Sequence, residues 1–167
     1  AQNAAAAIAT ARALGVPEDA IAEGLRTYPG LPHRMERVAT RDGVLFVNDS
    51  KATNPTSTAP ALDAFPAIHW ILGGLPKTND LDALEDHLGH VRAAYTIGQA
   101  GDMYADLLDG RMPVTRSGTL AQAVQDAAGA AQAGEVVLLS PACASFDQFK
   151  DYEARGEAFR AAVEALA

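Results

Sequence analysis

The sequence predicts an α/β fold in which helices cover both faces of a mostly parallel sheet. The length of 167 residues (17.4 kDa) fits one α/β domain with a short appendage. Apolar residues make up 49% of the chain and charged residues 20%, which is typical of globular proteins and not of disordered ones. Short apolar runs that resemble buried strands alternate with helical patterns, and this alternation is typical of parallel sheets.

The first 30 residues predict a pair of helices. The sequence contains 36 alanines, and residues 2–14 form an alanine-rich helical pattern that ends at Gly15. Pro17 then opens a second helix that extends to about Tyr28. Two prolines around Gly30 break the pattern, which places a domain boundary there and divides the chain into residues 1–30 and 31–167. Because the chain starts inside a helix without an initiator methionine, we expect that it is cut from a longer protein.

From residue 31 onwards the pattern becomes that of a sheet protein. Residues 35–39 and 44–47 flank an Arg-Asp-Gly turn and predict a β-hairpin. Further strands are expected at 68–72, 91–97, around 114 and at 136–139, and helices at 57–65, 81–88, 101–108, 120–131 and 148–166. Ligands of such sheets bind at the carboxyl ends of the strands, so the loops after residues 47, 72, 97 and 139 are the expected functional loops.

Charge and composition exclude several classes of function. The net charge is −8, which argues against non-specific nucleic-acid binding because that needs a cationic face. A single cysteine allows neither an internal disulfide nor a zinc site of paired cysteines. The sequence contains no apolar run long enough for a membrane span and no export signal. We therefore expect a cytoplasmic protein without a nucleic-acid or membrane partner.

The segment FVNDSKATNPTS, which follows a strand and leads into a helix, is unusually dense in polar side chains. Asp49 can accept hydrogen bonds from ribose hydroxyls, Lys51 can hold a phosphate, and Thr53 can bind a carboxylate. The structural alternative is an N-cap at Asn54 or Thr56 beside a solvated lysine. The density of polar residues favours a functional loop.

A second segment, LLSPACASFDQF, follows the last strand and precedes the last helix. Ser140, Ser145 and the backbone N–H groups after them predict an anion-binding terminus suited to a carboxylate. Cys143 is a possible nucleophile, but a small thiol between alanines is more typical of a core.

Two shorter segments add single candidates. ILGGLPK lacks the spacing of a phosphate-binding loop, so its glycines predict a close-approach turn and leave Lys77 as either a carboxylate partner or a surface lysine. GLPHRME places His33 and Arg34 at the domain boundary, where ligand clefts form. The alternative for Arg34 is a salt bridge that tethers the linker.

Four acidic residues near residue 80 resemble paired carboxylates for acid–base or metal chemistry. Asp80 is better explained as the N-cap of a helix that starts at Leu81, with the other three solvated in its first turns: Asp82, Glu85 and Asp86. No metal site is expected in this chain.

These segments occur in the order and at the approximate spacing of the C-terminal domain of the Mur ligases, and the chain resembles the glutamate-adding branch of that family. The resemblance covers essentially the whole chain. It implies that residues 31–167 form a Rossmann-like domain of about six strands that binds D-glutamate. It also implies that residues 1–30 are a helical remnant of the central ATPase domain.

The resemblance further implies an ATP-dependent ligase of peptidoglycan synthesis. ATP would phosphorylate the carboxylate of UDP-MurNAc-L-alanine, and the amine of D-glutamate would attack the acyl phosphate. ATP and Mg²⁺ would serve the full-length enzyme, and its N-terminal and central domains would be the missing partners of this chain. The phosphate loop, the magnesium ligands and a carbamylated lysine belong to the central domain, so we expect the fragment alone to be inactive and to bind no cofactor.

The same resemblance assigns the site residues. Thr53, Lys77, Ser145 and Phe146 would hold the two glutamate carboxylates, since a dianion needs a cation and several donors. Tyr152 would join them, at a position where the branch commonly has phenylalanine. The nucleotide would be met by Lys51 as the catalytic cation and by three further residues: Asn3 at the adenine, Arg34 near the phosphates and Asp49 at the ribose.

Two alternatives stay open. A folylpolyglutamate synthetase-like ligase domain belongs to the same superfamily, but Lys51-Ala52-Thr53 and SPACAS argue against it. A stand-alone Rossmann-like nucleotide-binding module without catalysis is the other alternative. The alanine-rich face of the helical stub argues against it, because such a face indicates a lost partner surface.

Overall fold

The computed structural model describes residues 2–166, which divide into two compact units at Gly30. The first unit is a helical pair, α1 (Gln2–Ala13) and α2 (Glu18–Thr27). The turn between the helices uses Gly15 at a φ of +74°, a conformation that glycine adopts without steric cost. Arg12 forms an exposed ion pair with Glu18 across this turn.

The second unit contains one six-stranded sheet. Its strands are β1 (Glu36–Arg41), β2 (Val44–Asn48), β3 (Ile68–Gly73), β4 (Val91–Ile97), β5 (Val114–Gly118) and β6 (Val136–Leu139). They lie in the order β1-β2-β6-β3-β4-β5, with β1 antiparallel to β2 and all other neighbours parallel. The predicted α/β class, hairpin and six mostly parallel strands are confirmed.

Helices pack on both faces of the sheet. One face is covered by α3 (Pro55–Leu62), a 3₁₀ helix (Asp82–His90) and α4 (Gly101–Leu108), and the other by α5 (Leu120–Ala130) and α6 (Tyr152–Glu164). Trp70 is fully buried on the first face and Phe46 on the second. Among the described residues, no helix has the length and apolar character needed to cross a bilayer.

Three local predictions were wrong or imprecise. The segment after Leu81 is a 3₁₀ helix, and Asp80 does not occupy its N-cap position; its side chain accepts only a long 3.4 Å hydrogen bond from the backbone N–H of Asp82. The last helix begins at Tyr152 instead of residue 148, because Asp151 accepts a hydrogen bond from the Ala154 N–H and thereby caps it. Helix α3 was predicted at 57–65 but spans Pro55–Leu62; its N-cap is Asn54, one of the two predicted caps.

The carboxyl ends of the five parallel strands form one edge of the sheet, called here the carboxyl edge. The antiparallel register of β1 pairs Glu36 with Asn48 and so brings the segment before β1 to the same edge. That segment is tightly bent, since His33 and Met35 both adopt positive φ angles of +60° and +47°. All four polar segments of the sequence analysis therefore meet there.

Candidate functional site

Close backbone contacts hold the loops of the carboxyl edge together. A β-carbon at Gly73 would lie 2.0 Å from the carbonyl oxygen of Ile97, and one at Gly74 would lie 2.3 Å from that of Ala144. Both glycines also have φ angles above +120°. The predicted close-approach turn is confirmed, and it allows the loops after β3, β4 and β6 to touch.

A two-residue antiparallel bridge fixes the loop after β3 against the loop after β6. Leu75 and Ala144 exchange backbone hydrogen bonds of 2.9 and 3.0 Å. Lys77 lies two residues beyond one partner and Ser145 directly follows the other. The bridge thus sets the register in which a cation and a hydroxyl, far apart in sequence, reach the same edge.

The residues assigned to an amino-acid ligand are Thr53, Lys77, Ser145 and Phe146, and we call them the amino-acid subsite. The ammonium group of Lys77 lies 3.5 Å from the hydroxyl of Thr53 and is exposed. Ser145 is 2% exposed, whereas the ring of Phe146 is 67% exposed. An exposed cation beside hydroxyl donors, with an unpacked aromatic ring nearby in sequence, suits a small acidic ligand.

Asp49 is held on the carboxyl edge by a buried network. One carboxylate oxygen accepts a 3.2 Å hydrogen bond from the N–H of Met35, and the other accepts a 2.9 Å bond from the hydroxyl of Ser140. Burial raises the pKa of Asp49 to about 6, against the opposing effects of these two hydrogen bonds and of the nearby Arg34 charge. The carboxylate keeps free lone pairs that can accept from a hydroxyl.

Replacement of Asp49 by asparagine is expected to change how stability depends on pH. The folded protein holds the Asp49 proton up to about pH 6, whereas the pKa in the unfolded chain has the ordinary value of 3.8. Below about pH 4, Asp49 therefore adds about 3 kcal/mol to the free energy of unfolding. This contribution is lost as the pH rises through 6. Asp49→Asn retains an acceptor but cannot titrate.

The measurement is urea unfolding followed by Trp70 fluorescence at several pH values between 4 and 7. Trp70 is the only tryptophan and lies fully buried in the sheet unit, so its signal reports that unit alone. The stability of Asp49→Asn relative to the parent chain should rise between pH 4 and pH 7. If the free energies of unfolding of the two proteins change with pH in parallel, the raised pKa of Asp49 is contradicted.

An open cleft of about 680 Å³ lies between the segment before β1, the loop after β2 and α6. Arg34 and Lys51 line it with exposed cationic groups, and within residues 2–166 Arg34 forms no ion pair. The predicted alternative of a tethering salt bridge is therefore not observed. We call this cleft the nucleotide cleft, after the ligand that the sequence analysis assigned to Arg34 and Lys51.

Tyr152 lies on the wall of the nucleotide cleft. Its ring centroid is 3.8 Å from the ammonium group of Lys51, and its ring forms a T-shaped pair with the ring of His33. A cation at this distance over an aromatic face is stabilised by the ring quadrupole. The side chain of Tyr152 thus contacts a residue assigned to the nucleotide, although Tyr152 itself was assigned to the amino acid.

Asn3 is the one assigned residue in the helical pair. It lies at the end of an apolar groove of about 730 Å³ whose walls are the facing sides of α1 and α2. Leu25 and Tyr28, which also line the groove, are 47% and 62% exposed. The groove is an apolar surface on a small two-helix unit.

Arg155 is the main residue of this edge that sequence reasoning missed. It is 1% exposed and donates hydrogen bonds to the hydroxyl and carbonyl of Ser50, at 2.9 and 2.8 Å, and to the carbonyl of Cys143, at 3.1 Å. It therefore connects α6 to the polar loops after β2 and β6. Burial lowers its pKa to about 10. An arginine in a helix gives no sequence signal that separates this role from a solvated one.

Two expectations for the second polar segment have different outcomes. The hydroxyl of Ser140 is not available to an anion, since Ser140 is fully buried and donates a hydrogen bond to Asp49. Cys143 is fully buried, as a core thiol should be, and burial raises its pKa to about 11. A thiol with that pKa is not a nucleophile at neutral pH.

The acidic residues near residue 80 are exposed, as predicted, and Glu85 forms a surface ion pair with Arg111. Nowhere in residues 2–166 do three potential His, Cys, Asp or Glu ligands come together around one point. Mg²⁺ in proteins is held by one or two carboxylates together with substrate phosphates and water, so this finding concerns only a cation cage built from the chain's own side chains.

A family model and two relatives of high sequence identity point to the same family. The family model described as "Mur ligase, glutamate ligase domain" matches residues 33–143. UDP-N-acetylmuramoylalanine--D-glutamate ligase of Novosphingobium aromaticivorans is 64% identical over 99% of this chain, and the enzyme of the same name from Zymomonas mobilis is 60% identical over 99%. The chain spans 37% and 38% of the length of these relatives.

Solved structures share the fold of this chain. UDP-N-acetylmuramate-alanine ligase MurC from Thermotoga maritima superposes with a TM-score of 0.67 over 98% of this chain and 37% of its own, at 17% identity. A bifunctional folylpolyglutamate synthase/dihydrofolate synthase from Yersinia pestis, complexed with AMPPNP and a Mn ion, gives 0.62 over 87% and 34%, also at 17% identity. At this identity the likeness establishes the fold alone.

Proposed function

Since the chain belongs to the Mur ligase family, we propose that it is the C-terminal, amino-acid-binding part of a longer ATP-dependent ligase that adds D-glutamate to UDP-MurNAc-L-alanine. The observation behind this proposal is the convergence of Lys77, Thr53 and Ser145 at the carboxyl edge. The high identity to two D-glutamate ligases supports the choice of amino acid.

In this proposal the amino-acid subsite binds both carboxylates of D-glutamate. The Lys77 ammonium and the Thr53 hydroxyl, 3.5 Å apart, hold one carboxylate together. Ser145 and Phe146 contact the other. Two fixed carboxylates leave the amine as the free end of the ligand, so the subsite restricts the direction from which the amine attacks.

The nucleotide cleft holds ATP in the same proposal. Asp49 accepts hydrogen bonds from ribose hydroxyls, and its position is fixed by Met35 and Ser140. Arg34 and Lys51 supply positive charge for the phosphates. ATP supplies the phosphoryl group that activates the substrate carboxylate. In this proposal the Mg²⁺ of the reaction is held by ligands of the central domain.

The chemistry left to this chain is positioning and charge stabilisation. When the amine attacks the acyl phosphate, a C–N bond forms, the C–O bond to phosphate breaks, and the amine releases a proton. Lys51 stabilises the departing phosphate, and Lys77 keeps the glutamate in place during attack. The uridine substrate and the remaining catalytic groups are held by the N-terminal and central domains of the same longer protein, which works in the cytoplasm.

We further propose that residues 1–30 are the end of the central ATPase domain, in which Asn3 contacts the adenine. The exposed apolar groove of α1 and α2 is consistent with a helical pair that belongs to a larger core. A folylpolyglutamate synthetase-like domain is less well supported, because the 17% identity to such an enzyme speaks only for the fold. A stand-alone nucleotide-binding module does not explain a family model built on a glutamate ligase domain.

The test is a ligase assay on the longer protein that contains this chain. Phosphate release should require ATP, UDP-MurNAc-L-alanine and D-glutamate together. The 167-residue chain alone should release no phosphate above background, since its sequence has no phosphate-binding loop. Turnover by this chain alone would contradict the proposed division of the active site.

A further inference from the structure

The turn that contains Ser145 is fixed at both ends. Before it, Ala144 exchanges backbone hydrogen bonds with Leu75. Within it, the carbonyl of Ser145 accepts hydrogen bonds from the N–H groups of Gln148 and Phe149, at 3.1 and 2.8 Å. We call residues 145–149 the Ser145 turn. What holds the turn against the neighbouring strands is the side chain of Asp147.

Asp147 reaches across to the loop after β4. Its carboxylate accepts a 2.8 Å hydrogen bond from the backbone N–H of Gln99, 48 residues earlier in the chain. Gly98, the residue before Gln99, leaves room for this contact because it has no side chain. A β-carbon on Gly98 would lie only 2.3 Å from the same carboxylate oxygen. Gly98 also has a φ of +65°, which disfavours any side chain there.

A second hydrogen bond extends the contact to the next strand. The side-chain amide of Gln148 donates to the carbonyl of Gly118 at 3.0 Å, and the N–H of Gly98 donates to the same carbonyl, also at 3.0 Å. The Ser145 turn is therefore bound to the ends of β4 and β5, while Ala144 is bound to the loop that leads to Lys77. These contacts fix Ser145 relative to the loop that leads to Lys77.

The charge of Asp147 is at first sight unsuited to a site for an acidic ligand. The positive charge of Arg155, which is buried close by, offsets the negative charge of Asp147. Burial lowers the pKa of Arg155, and the charge of Asp147 opposes this effect. With Asp147 and Arg155 offsetting each other, Lys77 remains as the exposed cation of the subsite. The carboxylate of Asp147 is thus engaged with the protein and is not a ligand.

We propose that Asp147 is a positioning residue that holds Ser145 and Phe146 at the spacing from Lys77 that glutamate binding requires; this rests on the proposed function. The role depends on an acceptor oxygen that receives the Gln99 N–H, not on the negative charge. An asparagine can supply such an oxygen, whereas an alanine cannot.

The experiment compares Asp147→Ala and Asp147→Asn in the longer ligase. Asp147→Ala should raise the KM for D-glutamate about tenfold, since small misplacements at a binding site have effects of this order or larger. The KM for ATP should not change. Asp147→Asn should restore the KM for D-glutamate to within about twofold of the parent enzyme. A residue with a purely structural role would not produce this split between the two substrates.

A matched control is Asp63→Ala. Asp63 accepts a 2.8 Å hydrogen bond from His87 on the surface, so the variant loses a contact of the same length away from the Ser145 turn. Its KM values should match those of the parent enzyme. An unchanged KM for D-glutamate in Asp147→Ala, or equal increases for both substrates, would overturn the positioning role while the ligase assignment stands.

An amide NMR comparison on the 167-residue chain tests the positioning role without turnover. The Gln99 amide should exchange faster in Asp147→Ala than in the parent chain, and the amide signals of Ser145 and Phe146 should shift. Asp147→Asn should leave both close to the parent values. If the longer protein fails to ligate D-glutamate, the proposed function fails, whereas unchanged Gln99 and Ser145 amides in Asp147→Ala overturn the positioning role.

Discussion

Replacing Arg155 by methionine is expected to destabilise the sheet unit by about 3 kcal/mol. Methionine fills similar space but leaves the buried carbonyls of Ser50 and Cys143 without their donor, and each unsatisfied buried carbonyl costs about 1–3 kcal/mol. The loss exceeds the gain from removing a desolvated charge, because the partners stay polar. Urea unfolding followed by Trp70 fluorescence measures this change.

Arg111→Met is the control for this prediction. Arg111 forms an exposed ion pair with Glu85, and such pairs contribute little to stability. Its unfolding midpoint should match that of the parent chain. A midpoint for Arg155→Met equal to that of Arg111→Met would contradict the role of Arg155 as the connection between the two polar loops.

The second large effect is expected from Lys77→Met in the longer ligase. A charge-assisted hydrogen bond contributes about 1.5–3 kcal/mol, so its loss should lower kcat/KM for D-glutamate by roughly 10- to 150-fold. The KM for ATP should be unaffected, because the Lys77 side chain contacts Thr53 of the amino-acid subsite and does not line the nucleotide cleft. Steady-state kinetics with each substrate varied in turn provide the measurement.

Lys150→Met is the matched control, since Lys150 is an exposed lysine without an assigned contact in the site. It should retain the kinetics of the parent enzyme. Two results would count against the amino-acid subsite: a similar loss in both lysine variants, or an increase in the KM for ATP as large as that for D-glutamate in Lys77→Met.

Much of the fold could be predicted from local patterns. Buried apolar runs such as those of β3 and β6 have few alternatives, and the glycines of the loop after β3 indicated the close contacts that the structure contains. The first residues of the helices were harder to predict, because aspartate is favoured at N-caps and both Asp80 and Asp151 are therefore candidates. Only Asp151 accepts a short hydrogen bond from the third residue after it.

The site was only partly predictable, for a different reason. Asp49, Lys51, Thr53 and Ser145 stand in dense polar segments that a single sequence reveals. The residues that hold these segments in place are distant in sequence: Arg155 lies 105 residues from Ser50, and Asp147 lies 48 residues from Gln99. Local sequence patterns do not reveal contacts between residues so far apart in the chain. The same limit explains why Ser140 was assigned to an anion instead of to Asp49.

The most direct test of the central claim is the choice of amino acid by the longer ligase. With ATP and UDP-MurNAc-L-alanine present, we expect D-glutamate to support product formation and L-glutamate to support little, and folate substrates should give none. Lys77→Met should no longer saturate with D-glutamate in the concentration range where the parent enzyme does. Equal use of both glutamate enantiomers, or extension of a folate substrate, would contradict the assignment of this chain as a D-glutamate-binding domain.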